Sequence, residues 1–281
     1  IDFGQPAETV VRLVRALDHG RYWNPLTTAK IAVADRVLNV GSAEIAEAAG
    51  LPGQVLRADE SGLVVACGVG AVRLARLSCQ EKGLAVSPAS LADAVLLTEV
   101  EGLTALGQSL AAAEPAIRKA LKSMQPAVLG HASPAGAEWH TLPLSAGAAA
   151  FALPDLALAA GLATGLAEVD LAQAALGRAG YAAGWRPLRV ALAGSIAEAR
   201  GGLDLALKPG FALDLMTRDT ALAGLQCPQI GVAEGAAIAG TVATLTPTAL
   251  HYDANRLSPA EAQAYAARIT HLLEALAKAP A

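Results

Sequence analysis

The densest polar cluster of the sequence lies near its C-terminus, where His251, Tyr252, Asp253 and Arg256 follow one another closely. Residues two apart on a strand project from the same face of a sheet. His251 and Asp253 could therefore act as a general base and the carboxylate that orients it. The same spacing also suits a structural hydrogen-bonded pair, which is the interpretation that we favour.

Metal and phosphate chemistry have no matching pattern in the sequence. It contains no HxxxH or CxxC spacing, and the three cysteines, Cys67, Cys79 and Cys227, have neither metal-ligand nor disulfide spacing. We expect Cys67 and Cys79 to be thiols of the core. The string CGVGAV at residues 67–72 lacks the third glycine of a dinucleotide-binding loop, so we interpret it as a hairpin turn. We predict no cofactor-binding and no metal-binding residues.

The composition is that of a globular chain with a core rich in small side chains. Hydrophobic residues make up 54% of the 281 residues, while aromatic residues make up only 4%. The apolar stretch Leu144–Leu166 is long enough to span a bilayer. Pro154 and Asp155 interrupt it, so we predict a strand, a turn and a helix there, and no contact with a membrane. The polar start shows no secretory pattern, and we expect a cytoplasmic protein.

The first part of the sequence predicts a helix followed by short strands. Residues Pro6–Leu17 place apolar side chains at helical spacing, and Gly20 provides a stop. Five short runs follow, several of them separated by glycine-containing turns. They are Lys30–Val33, Arg36–Val40, Gly53–Arg57, Gly62–Cys67 and Ala71–Leu77. A helix followed by five short strands favours an OB-like β-barrel with a leading helix.

The second part of the sequence mixes helices and strands. We predict helices over Leu103–Met124 and Ala157–Ala175, and paired strands over Ala236–Leu245 and Ala249–Asp253. We also predict strands over Trp139–Leu144 and Arg186–Leu192. The last helix has the clearest pattern: Ser258 is its N-cap, Pro259 occupies the first helical position and Glu261 completes a capping box. Its apolar face comprises Ile269, Leu272, Leu273 and Leu276.

Residues 1–31 and 51–77 resemble the C-terminal subdomain of methionyl-tRNA formyltransferase and its relatives. In that family a helix ending in RAL leads through a loop to a small β-barrel with a GLVVA hairpin, and the catalytic half lies upstream. The resemblance implies that this chain is an excised fragment, because Ile1 falls inside the family pattern. It also makes the loop Tyr22-Trp23-Asn24-Pro25 a candidate contact for an upstream catalytic domain. The alternative is a packed connection, with Trp23 filling the end of the barrel.

The C-terminal part resembles a second family. Residues 238–280 are similar to the end of nonribosomal peptide synthetase condensation domains, and residues 111–124 and 184–194 are similar to two further segments in the expected order. The resemblance implies the α/β lobe that condensation domains share with dihydrolipoyl acyltransferases.

The catalytic motifs of these two families are missing. No HHxxxDG string occurs, and the nearest string, residues 130–136, keeps His131 but loses the aspartate. The DHRxxxDG stretch of the acyltransferases corresponds to residues 253–256, where Ala254 replaces the histidine. An alanine cannot shuttle a proton, so the resemblance implies no acyl-transfer chemistry in this chain.

Charge argues against a nucleic-acid partner. Residues 1–90 contain nine basic and nine acidic residues, and the whole chain has a net charge of −4. Binding along a phosphate backbone requires several unpaired Lys or Arg contacts.

We therefore predict an α+β protein in two domains, an OB-like barrel at residues 1–92 and an acyltransferase- or condensation-like α/β lobe at residues 93–281. The chain would be a non-catalytic docking segment of a multidomain nonribosomal-peptide-synthetase-like enzyme. Its partners would be an upstream formyltransferase-like domain and downstream adenylation and carrier domains. Formyl-tetrahydrofolate, ATP and phosphopantetheine would belong to the parent protein. Alternatives are an oligomeric acyltransferase that binds acyl-pantetheine, with His251 or His131 as base, and a tRNA-binding module.

Overall fold

The structure, a computed structural model, describes residues 1–20, 28–33, 36–79, 85–94, 96, 101–133, 136–144 and 151–278. The helices are α1 (Ala7–Ala16), α2 (Glu101–Lys122), α3 (Leu153–Thr164), α4 (Ile196–Gly201), α5 (Leu215–Arg218) and α6 (Pro259–Lys278). The strands are β1 (Lys30–Ala32), β2 (Val37–Ala46), β3 (Val55–Asp59), β4 (Gly62–Ala66), β5 (Ala71–Cys79), β6 (Trp139–Pro143), β7 (Glu168–Ala174), β8 (Trp185–Ala191), β9 (Ile230–Val232), β10 (Ala243–Leu245) and β11 (Ala249–Asp253).

These elements form two structural units, and each unit is built on one β-sheet. Unit 1 comprises Ile1–Ala112, Gly177–Ala183 and Ala212–Thr220. Unit 2 comprises Ala113–Leu176, Gly184–Phe211 and Ala221–Ala281.

Unit 1 consists of the leading helix and a five-stranded antiparallel sheet. Helix α1 forms as its spacing predicts, and its buried face includes Val10, Val11 and Val14. The strand order is β1-β2-β5-β4-β3, so β1 and β3 lie at opposite ends of the sheet. Within the described residues this sheet does not close into the predicted barrel. Unit 1 contains an antiparallel sheet of five strands instead.

The CGVG string forms the predicted hairpin turn between β4 and β5. The Cys67 amide donates to the Gly70 carbonyl at 2.9 Å, and Gly70 has a φ of +75°, a conformation that favours glycine. The turn lies against the N-terminal segment, residues 1–6, because the Gly68 backbone amide donates to the Phe3 carbonyl at 2.8 Å. A Cβ atom on Gly68 would approach the Gly4 carbonyl oxygen to 2.1 Å. Glycine is therefore required at position 68, where the N-terminal segment crosses the turn.

Unit 2 is built on a six-stranded mixed sheet with the order β6-β11-β10-β9-β7-β8. Strand β9 runs parallel to β7 and β10, whereas the other neighbours are antiparallel. Helices α3 and α6 supply apolar side chains to the core of this unit. Gly161 lets α3 approach β8 closely, since a Cβ there would lie 2.7 Å from Val190 Cγ1.

The capping box of α6 is confirmed. The Glu261 carboxylate accepts a bond from the Ser258 amide at 2.9 Å, and the Glu261 amide donates to Ser258 Oγ at 3.3 Å. The predicted apolar face is also confirmed, with Ile269, Leu273 and Leu276 buried and Leu272 partly buried.

Two predicted elements of unit 2 were wrong in extent. The helix predicted over Ala157–Ala175 ends at Thr164, where Gly165 adopts a φ of +75°, and residues 168–174 form strand β7. The strand predicted over Ala236–Leu245 is confined to Ala243–Leu245. Residues Glu168–Leu171 alternate polar and apolar side chains as a strand does, so the predicted helix ran past the glycine stop at Gly165 and across this pattern.

In the described part of the chain, no helix is both long enough and apolar enough to span a membrane.

Replacing Gly68 with alanine is expected to lower the free energy of unfolding by about 1–3 kcal/mol, because the new Cβ forces the N-terminal segment away from the turn. The measurement is urea denaturation of the variant and the original chain. Val69→Ala is the matched control, since Val69 is 70% exposed in the same turn and should change stability little. Equal stability of Gly68→Ala and Val69→Ala would contradict the close approach.

Candidate functional site

Unit 1 carries a small polar cleft between the end of α1 and the strands β2 and β5. Its volume is about 220 Å³. The polar residues that line it include Asp18, His19, Asn39, Arg76 and Ser78. Residues on both sides of the segment 21–27, Gly20 and Thr28, also line the cleft.

The predicted contact loop belongs to that segment. Tyr22, Trp23, Asn24 and Pro25 lie outside the described residues, so their role as a contact stays a prediction. The structure places Gly20 and Thr28, which precede and follow this segment in the sequence, in the lining of the cleft.

Asn39 is the most unusual residue of the cleft. It lies in β2, where its backbone is in register with Lys30 of β1 and Ser78 of β5, and it is only 1% exposed. Neither its side-chain oxygen nor its side-chain nitrogen has a hydrogen-bond partner among the described residues. Nearly all buried polar groups in native proteins are hydrogen-bonded, so an unpaired buried amide needs a specific explanation. The amide offers one acceptor and two donor hydrogens, which can pair with another amide.

Arg76 adds backbone strain at the same place. Its φ of +53° lies in the left-handed region, which is uncommon for a residue other than glycine. Its guanidinium donates to the Gly41 carbonyl and to the Asp18 carboxylate, the latter at 3.0 Å. The Gly20 amide and Arg76 both hold the pKa of Asp18 below its ordinary value. Such strain persists only where surrounding contacts fix it, and it is concentrated at functional sites.

The cleft thus combines hydrogen-bond donors and acceptors without an arrangement for covalent chemistry. An amide, an imidazole and a paired guanidinium can recognise polar main-chain or side-chain groups of a partner. Sequence reasoning missed Asn39 and Arg76. An asparagine inside the apolar run Val37–Val40 is the pattern that could have indicated the first of them.

The predicted pair His251 and Asp253 lies in unit 2, on β11. The His251 ring shares a hydrogen bond of 3.1 Å with Thr141 Oγ1, which lies opposite it on β6. Partial burial lowers the pKa of His251 below its ordinary value and so favours the neutral ring.

Asp253 is 2% exposed and has different partners. Its Oδ1 atom accepts bonds from the backbone amides of Glu138, at 3.0 Å, and of Asn255, at 3.1 Å. The carboxylate therefore holds two stretches of backbone together. A catalytic role for His251 and Asp253 stays a prediction that no observation here tests.

The cysteines and the remaining titratable residues give no metal centre in the described part of the chain, where no group of three or more His, Cys, Asp or Glu residues could hold an ion. Cys67 is buried as predicted, whereas Cys79 is only half-buried. Burial raises the pKa of the Cys67 and Cys227 thiols, which keeps both protonated and poorly nucleophilic near neutral pH. His131, the second histidine considered as a base, has a side chain that is 76% exposed and lies 3.4 Å from Glu261.

The first third of the chain is similar to known proteins. Residues 1–91 match the family model of the formyl transferase C-terminal domain. The chain is 42% identical over 77 residues to methionyl-tRNA formyltransferase of Ectopseudomonas mendocina (strain ymp), a match that covers 27% of this chain and 23% of the relative. The Akkermansia muciniphila enzyme of the same name is 40% identical over 75 residues, covering 25% of this chain and 23% of the relative. The chain thus spans about a quarter of the length of these relatives.

Replacing Asn39 with leucine is expected to raise the free energy of unfolding by about 1–3 kcal/mol, because a buried amide that has no partner in the described part of the chain is replaced by an apolar group of similar shape. Urea denaturation measures the change. The control is Asn255→Leu, which removes a 2.7 Å bond from the amide nitrogen to the Gly136 carbonyl and should lower stability. A loss of stability in Asn39→Leu would show that the Asn39 amide is paired.

Replacing Asp253 with alanine is expected to lower the free energy of unfolding by about 1–3 kcal/mol, since the backbone amides of Glu138 and Asn255 lose the buried carboxylate that accepts their bonds. Asp253→Asn, which keeps one carbonyl oxygen, should lose less. His251→Ala is the matched control on the same strand and should have a smaller effect, because His251 is only partly buried. Thermal unfolding of the three variants gives the order, and a larger loss for His251→Ala would refute this account of Asp253.

Proposed function

We propose that this chain is a non-catalytic structural and docking segment of a multidomain enzyme. In this proposal, unit 1 holds a formyltransferase-like catalytic domain that precedes it in the same polypeptide. The observation that carries the proposal is the match of residues 1–91 to the formyl transferase C-terminal domain. In the named relatives this region accounts for 23% of the protein, so most of each relative lies outside the match.

The cleft of unit 1 supplies the contact in this proposal. Asn39 is buried, Arg76 has a strained backbone, and both line the cleft together with Gly20 and Thr28. A partner that presents polar main-chain groups would satisfy the Asn39 amide. That gain would offset the free energy that the free chain loses by burying it.

The proposal extends the sheet of unit 1 to an OB-like barrel within residues 1–92. It also assigns residues 93–281 to a condensation- or acyltransferase-like lobe, and the six-stranded mixed sheet with α3 and α6 in its core is compatible with an α/β lobe. Downstream adenylation and carrier domains would follow in the parent polypeptide. Formyl-tetrahydrofolate, ATP and phosphopantetheine would bind those other domains, and no step of this proposal runs through them.

Two alternatives differ in the partner. A tRNA-binding module is suggested by the names of the relatives, but residues 1–90 carry equal numbers of basic and acidic residues. An oligomeric acyltransferase that binds acyl-pantetheine would need a base, and the neutral His251 ring is the candidate. Salt-dependent gel shifts with tRNA test the first alternative. Saturable binding of acyl-pantetheine that His251→Ala abolishes tests the second.

Photo-crosslinking in the parent polypeptide tests the docking role. An antibody against this chain is expected to detect a cellular protein well above the mass of 281 residues. With a photoreactive residue in place of His19, that protein should form crosslinks to its formyltransferase-like domain. The same residue in place of Leu51, which is 76% exposed, is the control and should not form them.

Two results would count against the proposal. A cellular protein no larger than this chain would contradict the proposal that the chain belongs to a multidomain protein. Equal crosslinking from positions 19 and 51 would show that the cleft has no special contact with the catalytic domain.

A further inference from the structure

Unit 2 contains an apolar cleft of about 510 Å³ at one end of its sheet. Gln173 and Ala174 of β7 and Val232 of β9 line it, together with the rim residues 233–239. Leu153, Leu205 and Leu207 add aliphatic side chains. The volume falls within the range of small-molecule sites, which are mostly apolar with a few fixed polar groups.

Gln173 is the fixed polar group of this cleft. It is 5% exposed, and its Nε2 donates to the Ala206 carbonyl at 3.3 Å. That bond sets the orientation of the amide, because the opposite orientation would place two oxygens against each other. The other end of the amide, Oε1, is buried and has no hydrogen-bond partner among the described residues. Gln173 therefore brings to the lining of the cleft an acceptor for which the described residues supply no donor.

The charge of the lining decides which donor fits. Its charged member is Glu234, exposed on the rim, and the described lining residues include no Lys, Arg or His. A carboxylate or phosphate would meet no cation there. An ammonium group at the Gln173 end would lose its hydration without gaining a buried counter-charge. A neutral N–H group on an aliphatic chain meets both the apolar walls and the acceptor.

We propose that this cleft binds a neutral aliphatic amide, with the amide N–H donating to Gln173 Oε1 and the hydrocarbon chain packing against Leu153, Leu205 and Val232. The cleft lies outside residues 1–91, so this site does not depend on the docking function proposed for unit 1.

Calorimetric titration of the full chain with three probes that share an eight-carbon acyl chain tests the site. Octanamide offers N–H donors, methyl octanoate has similar size without them, and octanoate carries a charge. Octanamide is expected to bind saturably, methyl octanoate about tenfold more weakly, and octanoate more weakly than octanamide. The ratio between amide and ester isolates the hydrogen bond from the contribution of the hydrocarbon chain.

Variants place this binding in the cleft. Gln173→Met should reduce octanamide affinity about tenfold and leave methyl octanoate unchanged. Gln263→Met is the matched control, since Gln263 is exposed on α6, and it should change neither affinity. Gly184→Leu should abolish binding of both probes, because Gly184 lines the cleft. The fold accommodates this change, since a Cβ there meets no atom within 4 Å.

Three results would overturn the proposal: no saturable binding of octanamide, equal affinities of amide and ester for the original chain, or unchanged octanamide binding in Gly184→Leu. If Gln173→Met does not fold, the amide-to-ester ratio of the original chain and the Gly184→Leu result still decide the matter.

Discussion

The Asp170 carboxylate is the polar centre on which unit 2 depends. It is 2% exposed on β7 and accepts two bonds of 2.8 Å from the Arg189 guanidinium on β8. The backbone amide of Gln125 also donates to it, at 2.6 Å. A buried carboxylate is tolerated only when paired and hydrogen-bonded, and removing one partner is strongly destabilising. The chain that follows α2 and the strands β7 and β8 must therefore assemble together. This requirement fixes β7, which also carries Gln173.

Asn39 and Gln173 are the contrasting cases, because each is a buried side-chain amide with an atom that lacks a hydrogen-bond partner among the described residues. Both line clefts, one in unit 1 and one in unit 2. An unpaired buried polar group costs free energy that an apolar residue would not. Since neighbouring strands bury Val, Leu and Ala at comparable positions, the two amides are poor choices for stability alone. In the two proposals, each amide is paired by a group that comes from outside its unit.

Elements with a local cause could be predicted from the sequence, and those with a distant cause could not. The capping box at Ser258 and the glycines of the CGVG turn act over a few residues, so α6 and the β4–β5 hairpin were predicted correctly. Strand β7 pairs with β8 and β9, and its own residues do not indicate either partner. For His251 and Asp253, spacing gave a shared face, but Thr141 and Glu138 come from more than a hundred residues upstream. Whether the Asn39 side chain finds a hydrogen-bond partner likewise depends on all the residues that surround β2.

The family match and the structural unit do not cover the same residues. Unit 1 is completed by residues 177–183 and 212–220, far beyond the match at 1–91. The Val37 amide donates to the Ala179 carbonyl at 2.9 Å, and the Arg178 guanidinium donates to the Val33 carbonyl at 2.8 Å. Gly180 lies so close to Val37 that a Cβ would approach its carbonyl oxygen to 2.3 Å. Such contacts tie β2 to later parts of the chain. A fragment that stops at residue 91 would therefore leave the edge of unit 1 without the backbone partners it has here, so the formyltransferase-like region acts as part of the longer chain.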